Sequence, residues 1–441
     1  MLELDTLRVF SYSHGGIFGK RCVGVSLAAL RIPPFSRVKI DAFTLSMKNN
    51  PSTNSPSPPI LLLVAGAKGA VGSTVAAAVA AGEADPDIII KSLTSRNRFS
   101  ADFPPMRFKM AGWDVCLKPF PAIWEKNGVL PEAIRLRYQE YAKEIPVRKP
   151  PDSTIPLKDQ VESIRRDLAV FMESHPGARP VFVNLLPAAP CQNITAGPKS
   201  VSCLPGRSKD CPDRAYALAA VDSGIPVVNF SPNSLESQEL LAAARQNHVP
   251  IAGRDGKTGQ TFLKVVLASA LKARAFSVEG WYSLNLLGNA DGKNLMIPEN
   301  ASGKLANKTA VLDTILGTPG KTGERGVFHK VRIDYYPPRG DAKEAWDLID
   351  FSGLFGLPMS LRVNLLGRDS ILAAPLVLDL ARWMVALKAA GRGGPVPELA
   401  FFFKTPVGEN APATFQDQLS ALDLLERECV ESVVPRKGRP A

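Results

Sequence analysis

Residues 60–74 read ILLLVAGAKGAVGST, and this stretch decides the fold that we predict for the chain. Ile60–Val64 is a short apolar run typical of a buried strand, and a glycine loop and an alanine-rich helix to about Ala81 follow directly. A dinucleotide pyrophosphate needs this order, because a tight turn and bare glycine backbone bring the helix amides close to phosphate. The glycines are spaced G-x-x-G-x-x-G rather than G-x-G-x-x-G, so a simple strand–helix turn remains the alternative interpretation.

An acidic residue that binds the adenosine ribose is expected about 20 residues beyond such a loop. Asp85 and Asp87 come too early and fall in a predicted turn. Asp114 is the better candidate, because it ends the strand-like segment Phe108–Asp114. This assignment implies a long insertion between the first helix and the second strand.

Further strands and helices alternate along the chain. Val181–Pro187 and Ile225–Phe230 are predicted buried strands that end in polar or proline-rich turns, and Ala215–Ser223 between them has a helical pattern. Later elements are predicted at 278–287, 331–336, 361–366 and 401–403 for strands, with Lys404 following the last of them, and at 372–390 for a buried helix. This alternation predicts an α/β protein with a doubly wound, Rossmann-type sheet and a ligand crevice at the carboxyl ends of its strands.

A second polar region follows the predicted strands of that sheet. Gly253–Thr261 is a glycine-rich loop that leads into an apolar helical pattern, so its first-turn amides favour an anion. The neutral donors of the loop are Thr258, Gln260 and Thr261. Lys304 and Lys308 are four residues apart, which places both ammonium groups on one face if the segment is helical. Together these features fit a small phosphorylated substrate, whereas each alone fits an ordinary surface turn or a solvated lysine pair.

Composition limits the classes of function. The chain has 441 residues, 45% of them hydrophobic, and a net charge of +11, but it has no run of five basic residues and only 7% aromatic residues. We interpret the charge as a bias toward anionic small molecules rather than nucleic acid. No apolar run approaches the ~20 residues of a membrane helix, and six scattered cysteines without a C-x-x-C motif predict reduced thiols in a cytoplasmic protein. Only four histidines are present, so proton transfers in an enzyme would fall to lysines, carboxylates or the substrate.

Several motifs in one order resemble the myo-inositol-1-phosphate synthase family. The similarity is strongest from Gly253 to Lys404 and extends back to Ile60. The matching segments are Gly66–Thr74, Gly112–Asp114, Gly253–Thr261, Leu287–Leu295, Gly340–Lys343, Asp369–Pro375 and Lys404–Pro406. Ordered motifs are far more specific than any single one, and they identify the chain as resembling a divergent member of the family.

The sequence departs from the family pattern at identifiable positions. Ala290 stands where the family usually has a second Asn, and Arg254 where it has Asp. Ala70 and Val71 replace two Asn of the glycine loop, and the segment Asn184–Pro190 lies near the place of an absent Asn-Thr-Glu-Arg motif. These departures concern the binding of NAD and of a cation, and they indicate a divergent branch.

The resemblance implies a reaction and a set of site residues. The family converts D-glucose 6-phosphate to 1D-myo-inositol 3-phosphate by internal oxidation, enolisation, aldol cyclisation and reduction, with NAD regenerated in each turnover. The residues implied to be catalytic are Lys304, Lys343, Lys404, Asp255 and Asp369. Those implied to bind the substrate phosphate are Thr258, Gly259, Gln260, Thr261, Lys308 and Asn289. Those implied to bind NAD are Gly66, Gly69, Ala70, Val71, Gly72, Ser73, Asp114, Asn184, Ser231 and Asp341, and Asp291 is implied to hold a monovalent or divalent cation.

The resemblance also implies an organisation into domains and a homotetramer. We expect an N-terminal segment 1–58 that is disordered or over-annotated, with Met47 as the initiator, and a disordered tail at 436–441. An NAD-binding Rossmann domain is expected at 59–275, a catalytic and oligomerisation domain at 276–369, and a return to the first domain at 370–435. Two rival functions remain open: an NAD-dependent sugar-phosphate dehydrogenase that releases NADH, and a catalytically silent NAD-binding homologue.

Overall fold

A computed structural model of the chain describes residues 58–99, 103–188, 212–296, 311–317 and 327–433, with the backbone alone at residues 290 and 291. The predictions for the segment before Pro58, Met47 included, and for the C-terminal tail lie outside these residues. The strands are β1 Ile60–Ala65, β2 Phe108–Trp113, β3 Val147–Arg148, β4 Arg179–Asn184, β5 Val227–Asn229, β6 Pro250–Gly253, β7 Ser277–Leu287, β8 Phe328–Tyr335, β9 Ala342–Ser352, β10 Pro358–Arg368 and β11 Gly394–Pro395. The helices are α1 Ala70–Ala84, α2 Pro86–Ile90, α3 Phe120–Asn127, α4 Glu132–Ala142, α5 Leu157–Glu173, α6 Asp213–Asp222, α7 Gln238–Gln246, α8 Gln260–Ala273, α9 Ala290–Asn294, α10 Asp369–Ala389 and α11 Phe415–Val433, with a further helical segment at 311–316.

The larger sheet has seven parallel strands in the order β11-β6-β5-β4-β1-β2-β3. β1 lies between β2 and β4, and Leu62 is in register with Met110 on one side and Val181 on the other. The chain proceeds outward from β1 through β2 and β3, then returns to β4 and continues in the opposite direction. Ligands of such sheets bind in the crevice at this reversal, beyond the carboxyl ends of β1 and β4.

Helices cover both faces of this sheet. α1, α10 and α11 pack on one face, where Val75, Trp383 and Leu425 belong to a single buried cluster. α5, α6 and α7 pack on the other, around Phe171, Tyr216 and related side chains. A strand that is covered on both faces has no solvated side, which explains why β1 is a continuous apolar run rather than an alternating one. The predicted α/β class with a doubly wound parallel sheet is confirmed.

The smaller sheet has four strands in the order β10-β9-β7-β8. β9 pairs antiparallel with both β7 and β10, and β8 pairs parallel with β7. One face of this sheet packs on α8 and the segment 311–316, with Trp281 and Ile349 in the buried cluster. The opposite face carries Trp346 in register with Leu284, and Trp346 is 50% exposed. We call this second surface the open face.

α10 connects the two sheets. It begins at Asp369, directly after β10, and every residue from Val377 to Leu387 is buried in the core of the larger sheet. By length and composition α10 could cross a membrane, yet 78% of its apolar window is buried inside the protein. Core helices meet the same criteria, so this helix is weak evidence for a membrane span.

The prediction of a strand at 401–403 is wrong. Pro397–Phe402 forms a 3-10 helix, and Phe403 makes an isolated bridge with Gly256. Phe403 has extended backbone angles, but only this single bridge, rather than a ladder of strand hydrogen bonds, connects it to a neighbouring segment among the described residues. Here Phe402 and Phe403 enter the core, while Phe401 packs at a ring distance of 6.3 Å from Phe262.

Candidate functional site

The glycine loop after β1 has the geometry that the sequence predicts. Gly66 has φ +84°, a left-handed conformation that favours glycine, and a Cβ added at Gly72 would lie 2.4 Å from the Gly66 oxygen. Both glycines are therefore required by the turn itself. A Cβ at Gly69 would meet the Gly66 oxygen at 3.4 Å and no other atom nearby in the described part of the chain. The space above Gly69, at the N-terminus of α1, is thus open to a ligand.

Asp114 lies directly after β2, at the carboxyl edge of the sheet and beside the glycine loop. Its Oδ2 accepts a hydrogen bond of 2.8 Å from the Lys68 main-chain N–H, and its Oδ1 accepts one of 2.9 Å from the Cys116 N–H. These bonds fix the orientation of the carboxylate. Each carboxylate oxygen retains a lone pair, so Asp114 can still accept a hydroxyl.

Asn184 and Ser231 lie at the carboxyl ends of neighbouring strands, and both are buried. The Asn184 side chain donates to Asp213 Oδ2 at 2.7 Å and to Asn229 Oδ1 at 3.1 Å. Ser231 accepts through its main-chain oxygen from the Asp255 N–H at 3.0 Å. These two residues therefore link the strand ends into a rigid floor for the crevice.

Two chain segments about 150 residues apart are joined beyond β6. The loop 253–257 pairs with 402–407 through main-chain hydrogen bonds, including Arg254 N–H to Thr405 O at 2.6 Å and Thr405 N–H to Arg254 O at 3.2 Å. The Arg254 side chain donates to Glu236 at 2.8 Å. Arg254, a departure from the family pattern, thus has its own acidic partner.

The same pairing brings Lys404 against Asp255. Lys404 Nζ donates to Asp255 Oδ1 at 2.6 Å, and the two side chains are 14% and 5% exposed. Asp255 has φ +62°, a left-handed conformation that Asp adopts more readily than most residues. A charged pair this well shielded from water is held in one geometry and acts at short range on any bound group.

A second lysine–carboxylate pair lies at the N-terminus of α10. Lys343 Nζ donates to Asp369 Oδ2 at 2.8 Å, and Thr258 Oγ donates to Asp369 Oδ1 at 3.1 Å. Thr258 is three residues from Asp255, so a single loop contacts both lysine–carboxylate pairs. The sequence placed these residues in four separate motifs, and the fold brings them together.

Asp341 lies near this second pair and is buried. Ser370 Oγ donates to its Oδ1 at 3.4 Å, and its Oδ2 has no hydrogen-bond partner among the described residues. Burial raises the pKa of Asp341, the neighbouring Asp369 charge raises it further, and Arg368 opposes both. The orphaned oxygen fits a ligand that carries a hydrogen-bond donor.

Gln260 begins α8 and connects the site to the smaller sheet. Its side-chain amide donates to Asp347 Oδ2 at 3.0 Å, while Trp281 and Ser283 donate to Asp347 Oδ1. The Gln260 side chain thus braces the first turn of α8 against β7 and β9. The other predicted phosphate contacts of this turn are Gly259, which caps α8, and Thr261, which is 2% exposed.

Two buried lysines were not assigned by the sequence reasoning. Lys257 Nζ donates to Ala400 O at 3.0 Å and Gln418 Oε1 at 2.9 Å, and burial, with a smaller effect of the Lys404 charge, lowers its pKa to about 7. Lys264 lies 3.0 Å from His329 Nε2, and burial lowers its pKa to about 8 against the attraction of Asp347.

Helical spacing could have found one of these lysines. Lys264 is three residues after Thr261 and four before Ala268, and both neighbours lie on the buried stripe of α8. Lys257 lies in a polar loop, where no sequence pattern separates it from a surface lysine.

Four predicted site residues come after β7 in the sequence. Asn289 Oδ1 accepts from the Gly292 N–H at 3.1 Å and so caps the short helix α9. Asp291 is described by its backbone alone, and Lys304 and Lys308 lie outside the described residues. Within the described ranges, no group of three or more His, Cys, Asp or Glu side chains could hold a metal ion.

A comparison with protein families supports the motif-based resemblance. The family model described as myo-inositol-1-phosphate synthase matches residues 259–370. This match includes the first turn of α8, Lys343 and Asp369, and it leaves out the glycine loop and Lys404. Inositol-3-phosphate synthase 1 of Bacteroides thetaiotaomicron is 39% identical over 259 residues, which cover 56% of this chain. The predicted resemblance to the myo-inositol-1-phosphate synthase family is confirmed.

The curated relatives are longer than the aligned part. The alignment spans 60% of the bacterial synthase, and that with inositol-3-phosphate synthase 1 of rice (Oryza sativa subsp. japonica) is 31% identical over 231 residues and spans 45% of it. The chain thus matches from under half to three fifths of the length of these synthases.

Solved structures agree on the fold. Inositol-3-phosphate synthase from Caenorhabditis elegans superimposes with a TM-score of 0.70 at 21% identity, covering 87% of this chain and 88% of that one. A myo-inositol-1-phosphate synthase-related protein from Thermotoga maritima gives a TM-score of 0.65 at 19% identity, covering 84% of this chain and 98% of its own. At these identities the likeness establishes the synthase fold for this chain.

Proposed function

We propose that the protein converts D-glucose 6-phosphate to 1D-myo-inositol 3-phosphate, with NAD⁺ reduced and then reoxidised within one turnover. The observation that carries this proposal is the pair of lysine–carboxylate contacts, Lys404–Asp255 and Lys343–Asp369, attached to one loop at the N-terminus of α8. Oxidation, enolisation, aldol closure and reduction each change the charge on a substrate oxygen. Fixed ammonium groups stabilise such oxygens because they need little reorganisation as the charge develops.

The crevice at the end of β1 fits NAD. The open space above Gly69 and the unpaired first-turn amides of α1, on Ala70, Val71 and Gly72, suit a pyrophosphate, and Ser73 extends the same turn. Asp114 would accept the adenosine ribose hydroxyls, Asn184 and Ser231 form the floor, and the orphaned Asp341 oxygen would accept a donor at the nicotinamide end. When bound, NAD supplies oxidation of a carbinol carbon and the matching reduction of a ketone.

The chain's own groups would carry the remaining chemistry. Thr258, Thr261 and the amide of Gly259 at the α8 N-terminus, with Lys308 and Asn289, would bind the substrate phosphate. Lys343, Lys404 and Lys304 would each face an oxygen that becomes charged, so that the proton next to the ketone can leave and the enolate can close on the aldehyde. Asp255 and Asp369 would hold two of these lysines in place, and Gln260 would fix the turn that presents the phosphate donors.

Assembly and compartment form a further part of the proposal. The open face carries apolar side chains that solvent reaches: Tyr282 is 37% exposed, Trp346 is 50% exposed and Leu284 is partly exposed. These side chains support a homotetramer whose contacts are made by the domain proposed at 276–369. We propose 59–275 with 370–435 as the NAD-binding part, a cytoplasmic location, and a cation near Asp291.

One assay tests the proposed function. The protein is incubated with glucose 6-phosphate and a sub-stoichiometric amount of NAD, and the cyclic product and the NADH are both measured. We expect many molecules of inositol phosphate per NAD and no net NADH. One NADH released per substrate would indicate a sugar-phosphate dehydrogenase instead, and no product with NAD still bound would indicate a silent homologue.

A further inference from the structure

We propose that Lys68 binds a phosphate oxygen of the dinucleotide at the glycine loop. This role rests on the proposed function, because it requires a dinucleotide in that crevice. Lys68 is 8% exposed, yet its ammonium donates no hydrogen bond to any residue in the described part of the chain. A buried cation that lacks an oxygen acceptor is costly, and a bound anion would satisfy it.

The surroundings of Lys68 explain where the ammonium rests without a ligand. Its Nζ lies 3.1 Å from the centre of the Phe120 ring, at the start of α3. Asp114 and Cys116 are the titratable groups that attract it, but the ammonium donates no hydrogen bond to either of them. Attraction to a ring is generally weaker than a charge-assisted hydrogen bond, so a phosphate oxygen would compete well for this ammonium.

The position of Lys68 in the loop points to phosphate rather than to another anion. Lys68 precedes Gly69, above which the structure is open, and α1 begins one residue later. The 15-residue helix α1 directs its positive dipole end at the same space, so ammonium and helix favour the same charge. Packing keeps Phe120 in place, because Trp124 in the same helix donates to Ser73 O at 2.8 Å.

Burial lowers the pKa of Lys68 to about 8, and the attraction of Asp114 and Cys116 opposes this effect. In the free protein the ammonium therefore loses its proton more easily than an exposed lysine would. Anion binding requires the charged form. Affinity for a phosphate-bearing ligand should therefore fall as the pH rises from 7 to 9, by a contribution that disappears when Lys68 is replaced.

The experiment is a calorimetric titration of the full chain with NAD⁺, NADP⁺, ADP-ribose and adenosine. Lys68→Met removes the charge at similar length, and Lys126→Met removes an exposed lysine from the same neighbourhood as the matched control. We expect Lys68→Met to weaken ligand binding about tenfold, as for loss of one charge-assisted hydrogen bond, with Lys126→Met unchanged. Lys68→Gln repeats the test if the Met variant does not fold.

The ligands separate the two phosphates of a dinucleotide. Equal weakening of NAD⁺, NADP⁺ and ADP-ribose assigns Lys68 to the pyrophosphate, and weakening of NADP⁺ alone assigns it to the 2′-phosphate. Unchanged affinity for all three, or an equal loss with phosphate-free adenosine, would overturn the proposal and leave Lys68 as packing on Phe120. If the wild-type protein bound none of the dinucleotides, the proposed function would fail first, and this role with it.

Discussion

The glycine loop and the Lys404–Asp255 pair depend on different chemical groups. Around Gly66–Gly72 the geometry depends on the backbone: a left-handed glycine, a second glycine whose added Cβ would lie 2.4 Å from a main-chain oxygen, and unpaired first-turn amides. Around Asp255 and Lys404 it depends on charged side chains that are almost fully shielded from water. In the proposed reaction the pyrophosphate of the dinucleotide keeps its charge and can be held by main-chain dipoles, whereas substrate oxygens whose charge changes are stabilised by fixed ions. The difference teaches which substitutions should affect folding and which should affect catalysis.

Loss of a lysine from the charged end should have the largest effect. We expect Lys404→Ala to lower kcat roughly 100-fold or more, with the KM for glucose 6-phosphate near wild type, because the ammonium acts on a charge that forms during reaction. Steady-state kinetics of inositol phosphate formation measure this split. Exposed Lys330→Ala on β8 is the control, and an equal loss there, or a pure KM effect in Lys404→Ala, would contradict the comparison.

Two alanine substitutions separate folding from binding at the glycine end. Gly72→Ala places a Cβ against main-chain oxygens and should destabilise the protein by about 1–3 kcal/mol. Gly69→Ala has room in the protein and should leave the melting temperature unchanged but reduce its rise on adding NAD. Thermal melts with and without NAD measure both effects. If NAD raised the melting temperature of Gly69→Ala as much as it raises that of the wild type, the space above Gly69 would not receive the ligand.

Lys257 should make stability depend on pH at the charged end. Its pKa is lowered to about 7 in the folded protein, so between there and the unfolded value of about 10.4 the unfolded chain binds more protons. Stability contributed by this site therefore rises with pH, by up to about 1.4 kcal/mol per pH unit. Urea unfolding at pH 7 and 9 should show this slope in the wild type relative to Lys257→Met. Parallel pH dependences in the two proteins would show that Lys257 is not desolvated as described.

The smallest effect is expected at Arg254, which lies in the loop 253–257 next to Asp255 but donates to Glu236. The pair is partly exposed, with side-chain exposures of 24% and 15%, so Arg254→Met should cost about 1 kcal/mol or less and leave kcat within about twofold. A double-mutant cycle with Glu236→Gln measures the coupling. A large fall in kcat would indicate that Arg254 contributes to catalysis, and it would contradict the distinction between Arg254 and its neighbour Asp255.

The sequence predicts the backbone-built end better than the charge-built end. Strand, glycine loop and helix are contiguous, so Ile60–Thr74 carries its own geometry, and Asp114 follows from strand alternation. Pairing of Lys404 with Asp255 depends on contact between segments about 150 residues apart, which no local pattern specifies. These residues were available from the family resemblance alone.

Two features could not be obtained even from the resemblance. The 3-10 helix before Lys404 goes with a packing in which Phe402 and Phe403 enter the core and Phe401 stays partly buried, and this packing is a property of the folded core. The desolvation of Lys257 depends on Gln418 in the last helix, and a polar loop gives no sign of it. Local sequence patterns show the periodicity of helices and strands, but they do not specify which side chains come into contact in the folded protein.

α10 has a consequence for how long the residues of the site stay aligned. Its 21 residues span about 32 Å, from Asp369 beside Lys343 to the fully buried segment beneath the larger sheet. Amide protons in such a helix exchange with solvent mainly when the whole protein unfolds. Asp369 therefore begins a helix whose buried part we expect to unfold only with the whole protein. Native-state hydrogen exchange should find the slowest amides among the described residues in Val377–Leu387, so that Asp369 keeps its contacts with Lys343 and Thr258 for as long as the protein remains folded.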